Sequence, residues 1–176
     1  MSRLINSLAI IGLVLTSLTW AGDDFQIQLK QVEPQHVLSL KAVAPSDSVR
    51  TVLTQMMGQM KAFLSQRQIK PVGPPLVVWL SPPGQDIKFE VCVPVPPQTA
   101  GQGEIEAKEL SGGPMASAIL TGPVDYGRRM SLQQAMEAWM RQTGWQPAGH
   151  MREVVLALPA KSQTERKSEV LWPMTR

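Results

Sequence analysis

Apolar and polar positions along this chain follow two periods, and the periods occur in one order twice. From Val49 the apolar residues Val49, Val52, Leu53, Met56, Met60, Phe63 and Leu64 recur at steps of three and four, which predicts a helix of about five turns with one apolar face. Ser46 and Asp47, after Pro45, are its N-cap candidates. The segment Pro71-Val-Gly-Pro-Pro75 is expected to stop it and turn the chain, because proline cannot continue a helix and glycine tolerates turn conformations. Two strands are expected next, Leu76 to Leu80 and Ile87 to Val95, joined by a turn at Pro82-Pro-Gly84. The second round opens at Gly122-Pro-Val-Asp125, places Leu132, Ala135, Met136, Trp139 and Met140 on one helix face, and continues into strands Glu153 to Leu158 and Ser168 to Trp172. Strands Val37 to Val43 and Met115 to Leu120 precede the two helices, and Glu104 to Leu110 adds one more.

The two rounds are copies of each other. At a constant offset of 76, Met60 matches Met136, Ala62 matches Ala138, Phe63 matches Trp139, Gln66 matches Gln142, Pro71 matches Pro147 and Gly73 matches Gly149. Further on, Glu90, Val91 and Pro94 match Glu169, Val170 and Pro173 at an offset of 79. The expected architecture is α+β: a strand-helix-strand-strand unit duplicated, about 32–97 and about 104–174, giving a pseudo-twofold, mostly antiparallel sheet with two helices. Both apolar helix faces need the same sheet surface, and the layout leaves a groove between the copies where a small ligand fits.

Composition narrows the function. The 176 residues carry 17 Lys and Arg against 14 Asp and Glu, a net charge of +3 that does not suit a polyanion-binding arm. One Cys and two His leave too few ligands for a disulfide scaffold or a zinc module, and His36 and His150 cannot complete a Ser-His-Asp or Cys-His constellation. No cofactor or metal is expected, and no nucleic acid. Cys92 lies in the alternating run Lys88 to Val95, which suits a buried thiol.

The chain starts with Arg3, an apolar run from Leu8 to Leu18 and small residues before Gly22, the pattern of a secretory signal peptide with cleavage after Ala21. The expectation is a leader at 1–21 and a secreted, periplasmic domain at 22–176 with no stable membrane span; an uncleaved N-terminal anchor helix is the alternative.

Several motifs together resemble the GyrI-like, or effector-binding, domain found in AraC- and MerR-type multidrug regulators and as a stand-alone protein. They are Leu110-Ser-Gly-Gly-Pro-Met-Ala-Ser-Ala118, Gly122-Pro-Val-Asp125, Gln146-Pro-Ala-Gly149, Arg152-Glu-Val154 and Ser168-Glu-Val-Leu-Trp-Pro173, with Val32-Glu-Pro34 and Phe89-Glu-Val-Cys-Val-Pro-Val95 in the first copy. The resemblance runs from about Phe25 to Met174. It implies a cleft between the halves that takes apolar, often cationic, small molecules against a buried carboxylate. The carboxylates of that pattern correspond here to Glu153 and Glu169, with Glu90 the first-copy equivalent of Glu169. A strand glutamate also fits a solvent-facing position or a salt bridge to Arg152 or Lys167, since burying it unpaired is costly.

Trp79 and Trp172, on sheet strands, are candidates to stack on a planar or cationic ligand, and Tyr126, the one phenol, is a further ligand-binding candidate. Met56, Met57, Met136 and Met140 fit either a cavity wall or helix-to-sheet packing. Some stand-alone relatives hydrolyse reactive cyclopropane-bearing toxins with a Glu and a Tyr. This chain reads Glu153-Val154-Val155 where many of them read Glu-Val-Tyr, which weakens that reading. A sensing or sequestering role therefore leads, with a hydrolase acting through Glu153 as one alternative. The other is an envelope protein-interaction module that presents the basic segment Lys161 to Lys167.

Overall fold

Both helices lay their apolar stripes on one face of one sheet. The computed structural model describes residues 25–81, 86–122, 126–157 and 167–176. The expected leader, the Pro82-Pro-Gly84 turn and most of Lys161 to Lys167 lie outside them. In chain order the elements are β1 (Gln28–Val32), β2 (Gln35–Pro45), α1 (Val49–Gln66), β3 (Leu76–Trp79), β4 (Asp86–Pro94), β5 (Glu106–Leu110), β6 (Gly113–Thr121), α2 (Tyr126–Gln142), β7 (Gln146–Pro147), β8 (Arg152–Ala157) and β9 (Lys167–Thr175). The strands form a nine-stranded antiparallel sheet in the order β1-β6-β9-β8-β3-β4-β2-β5, with β7 paired to the end of β9. Among the described residues no helix is long and apolar enough to cross a membrane.

Read from its centre, this order is symmetric. β3 and β8 pair so that Val77 stands opposite Glu153. These two residues are also counterparts at the offset of 76, so a pseudo-twofold axis passes between them. A row of directly opposed residues crosses the helix-covered face through this point: Leu40, Val91, Val77, Glu153, Val170 and Ala118. Every member except Glu153 is apolar. Under α1, Met56, Met60 and Leu64 pack on Leu38, Leu40, Phe89 and Val91; under α2, Leu132, Met136 and Met140 pack on Ala116, Ala118, Val170 and Trp172.

The first copy starts earlier than its apolar pattern indicates. β1 is polar at most positions and has no alternation to announce it, because it is an edge strand. It pairs with β6 of the second copy, while β5, which leads the second copy, pairs with β2 of the first. The halves thus exchange their leading strands. Lys30 on β1 donates to both oxygens of Glu169 on β9 at 2.7 and 2.8 Å, and Ser117 Oγ donates to the same carboxylate at 2.7 Å. At matching positions, Lys108 on β5 bonds Glu90 on β4. Each ion pair fastens the exchanged strand of one copy to the last strand of the other.

Two helix boundaries differ from expectation. Ser48, not Ser46 or Asp47, holds the N-cap position of α1, and it makes no side-chain cap bond. The C-terminus falls before Pro71: Gln68 takes a left-handed φ of 55°, and the N–H of Ile69 reaches back to Leu64 O at 2.9 Å. That is a Schellman turn, which satisfies carbonyls the helix end leaves open. At the same offset of 76, Gly144 has φ 75° and Trp145 N–H bonds Met140 O at 2.8 Å. Proline is therefore not what ends either helix. Its role comes later in the chain, where Val72 N–H bonds Pro94 O and Ala148 N–H bonds Pro173 O, with Gly73 and Gly149 packed against those prolines.

The second copy uses glycine where the first forces a side chain into the left-handed region, at a cost of about 1 kcal/mol. Gln68→Gly is expected to stabilise the fold by about 0.5–1 kcal/mol, raising the thermal midpoint by roughly 1–4 °C. Thermal melts followed by circular dichroism check this; a lowered midpoint would show that the Gln68 side chain contributes more than its backbone strain costs.

Candidate functional site

The polar residue in the central apolar row is where the chemistry concentrates. Glu153 is 1% exposed, beneath the helices and on the pseudo-twofold axis. A carboxylate there has lost its water and needs a counter-charge or donors to replace it. Arg129, in the first turn of α2, supplies one: its Nη2 donates to Glu153 Oε2 at 2.9 Å. The same guanidinium lies over the indole of Trp79, its carbon 3.8 Å from the ring centroid. Helix geometry does not explain a cation there, because the N-terminal end of a helix dipole is positive and disfavours it. The ion pair and the stacked indole are among the contacts that hold it instead.

A cavity of about 200 Å³ opens beside this pair. Trp79, Ile87, Met151 and Trp172 wall it, Arg129 and Gln133 reach it from α2, and His150 lies at its edge in the loop before β8. Trp172 is fixed by its indole N–H, which donates to Gly149 O at 3.0 Å. Trp79 is fixed from below by Phe89, with ring centroids 5.8 Å apart, and its backbone N–H bonds Met151 O at 2.9 Å. Its indole N–H is buried and finds no acceptor among the described residues. The cavity thus presents two ordered indole walls, the apolar Met151 and the Arg129 guanidinium; Glu153 does not line it and lies behind Arg129, to which it is bonded.

Strand register separates the sequence candidates. Trp79, Trp172 and Glu153 share the helix-covered face. Glu169 stands opposite Val154, next to Glu153 in the pairing, and therefore points to the other face. There it is held by Lys30 and Ser117 and does not meet the cavity. Glu90, 2% exposed, is its duplicate on that same face with Lys108. Tyr126 opens α2, and its side chain lies outside the described residues. Met56, Met136 and Met140 are buried in the two cores and none lines the cavity; Met151 does.

Arg129 is the residue of the candidate site that periodicity missed. Two signals in the chain pointed to it: the pair Arg128-Arg129 begins a helix against its dipole, and at the offset of 76 the first copy has Leu53 in place of Arg129. The rest of the site diverges in the same way. Glu153 stands where copy one has Val77, Trp172 where it has Val93, and Trp79 where copy two has Val155.

A family model for the GyrI-like small-molecule-binding domain matches residues 25–174. The chain belongs to this family. Among solved structures, the C-terminal domain of EcmrR superposes with a TM-score of 0.74 at 17% identity, covering 86% of this chain and 98% of that one. In the EcmrR–DNA complex the chain spans 58% of the whole EcmrR chain. A hydrolase from Listeria innocua superposes with a TM-score of 0.61 at 12% identity, over 85% of this chain and 91% of the other. SAV2435 bound to tetraphenylphosphonium gives a TM-score of 0.60 at 9% identity, over 85% and 94%. No curated protein matches the chain significantly. These likenesses establish a GyrI-like α+β fold, and this GyrI-like domain has the two-helix, antiparallel layout its duplication indicates.

On the far face from the cavity, Cys92 is fully buried, its Sγ 3.9 Å from Glu90 Oε2. Burial first, and the Glu90 charge second, push its thiol from 9.0 up to about 12. In the unfolded chain Cys92 ionises at its ordinary 9.0, while the fold keeps the proton until about 12, so stability must fall as pH rises through that window. Alkylation by iodoacetamide at pH 8 is expected to be at least about a hundredfold slower for the folded protein than for the urea-unfolded chain. Cys92→Ala should flatten the loss of thermal midpoint above pH 9.0. Equal alkylation rates in the two states would refute the burial of this thiol.

Proposed function

We propose that this domain binds an apolar, cationic small molecule in the cavity between Trp79 and Trp172, with Glu153 as counter-charge, to sense or sequester it. One observation carries the reading: a carboxylate buried to 1% exposure sits on the pseudo-twofold axis, behind an arginine that lines a cavity walled by two indoles. Indole faces attract cations, and the attraction strengthens where water is excluded. The size suits a ligand of one or two rings, small for its class of sites. Support also comes from the family, which is one of small-molecule-binding domains, and from SAV2435, whose structure holds tetraphenylphosphonium. We favour binding over hydrolysis because Glu153 is engaged by a guanidinium, the state of a counter-charge and not of a base facing water.

Titrating benzyltrimethylammonium against tryptophan fluorescence tests the proposal. Saturable quenching is expected, weakened about tenfold or more by Glu153→Gln, the loss of roughly 1.4 kcal/mol that an electrostatic partner supplies. Absence of saturation in the wild type, or equal affinity in the variant, would remove Glu153 from the role.

Export of the domain by a leader at Met1–Ala21 belongs to the same proposal, supported by the apolar run Leu8 to Leu18. Terminal sequencing of the protein recovered from the periplasm of a Gram-negative expression host should begin at Gly22. A chain that retains Met1 would favour the anchored alternative.

A further inference from the structure

Glu153 already has a cation: Arg129, from the chain itself. The guanidinium makes the two contacts a flat cationic ligand would seek. It is charge-paired to the carboxylate at 2.9 Å and stacked 3.8 Å from the centroid of Trp79, at the wall of the cavity. Its side chain is 17% exposed, so solvent reaches it. The helix dipole opposes a positive charge in the first turn of α2, so side-chain contacts set this pose.

We propose that Arg129 is an internal competitor: it occupies the cation position of the pocket, and a cationic ligand enters by displacing it. The inference rests on the binding reading above and adds the residue that sets selectivity. The resident group also names the ligand class. A carboxylate beneath one indole face holds a planar, delocalised cation, an amidinium or guanidinium carried on an aromatic body that fills the space between Trp79 and Trp172. Because only molecules in which Arg129 has swung away can bind, apparent affinity equals intrinsic affinity multiplied by the open fraction. An open fraction of about one in ten lowers it about tenfold. A neutral ligand of the same shape that leaves Arg129 in place escapes this penalty. The pocket therefore screens out weak cations that an unguarded Glu153 would admit.

The test pairs two probes of one shape, biphenyl-4-carboxamidine and neutral biphenyl-4-carboxamide, in calorimetric titrations of the wild type and of Arg129→Leu, the residue the first copy has at Leu53. The substitution is expected to tighten amidine binding about tenfold or more while changing carboxamide binding less than about threefold. Arg129→Lys, which keeps the charge but not the flat stack, should fall between. In the wild type, saturating amidine is expected to speed modification of Arg129 by phenylglyoxal, read by peptide mass mapping. This arm does not depend on the variants folding.

Amidine affinity that stays equal or falls in Arg129→Leu, with Arg129 no more reactive in the complex, would overturn displacement while leaving ligand binding intact. Failure of every protein to bind either probe would instead overturn the binding reading itself.

Discussion

The pairing of β3 with β8 is the constraint on which the rest of the molecule depends. Each copy has an apolar strand row and an apolar helix stripe, and neither half closes its sheet alone. Joining the copies edge to edge at Val77 and Glu153 makes one continuous sheet for both helices to cover. It also decides what the residue on the axis experiences. Any side chain at 153 is carried to the helix-facing side of the sheet, where Glu153 is 1% exposed, so a carboxylate there is desolvated by the architecture and must be answered from within the protein or by a ligand. The answer in this structure is Arg129.

Duplication and divergence divide the labour between the two faces. Where the copies agree, they build the frame. Lys30 with Glu169 and Lys108 with Glu90 latch the exchanged strands, Gly73 and Gly149 seat the prolines of the last strands, and two Schellman turns end the helices. Where they disagree, at Leu53 and Arg129, Val93 and Trp172, and Trp79 and Val155, they line the cavity, and at Val77 and Glu153 they place the carboxylate that pairs with Arg129. The far face has its own buried charge in Arg152, 7% exposed and bonded to Ser111 Oγ at 3.2 Å, its guanidinium pulled below its ordinary value by burial. That charge is separated from Glu153 by the sheet, since the two are neighbours on β8 and point to opposite sides.

The same division explains what the chain disclosed before its structure. Periodicity and the offset of 76 exposed both helices, the paired strands and the shared sheet face, because burial imposes those patterns on every residue of an element. β1 escaped because an edge strand buries little and need not alternate. In sequence Glu169 is indistinguishable from Glu153, because both are strand glutamates in motifs of the same family pattern. Only register, which places Glu169 opposite Val154, shows that they face apart. Arg129 was hidden for a different reason. Its partner, Glu153, lies 24 positions away on another element, and no local period records a contact of that kind.

The fold also contains its own comparison for the value of the central ion pair. At the symmetry-related positions the first copy has Val77 and Leu53, and Leu53 packs against the buried apolar cluster there. This shows that the frame accepts an apolar pair at these positions. Buried ion pairs are in general no more stabilising than well-packed apolar residues of similar size, and replacing one often stabilises a protein by about 1–4 kcal/mol. Glu153 and Arg129 are therefore not what the architecture needs in order to close. Their cost is understandable if the carboxylate is kept for a cation that arrives and leaves. On the proposed reading, the guanidinium keeps it neutralised between ligands, stacked on the indole of Trp79.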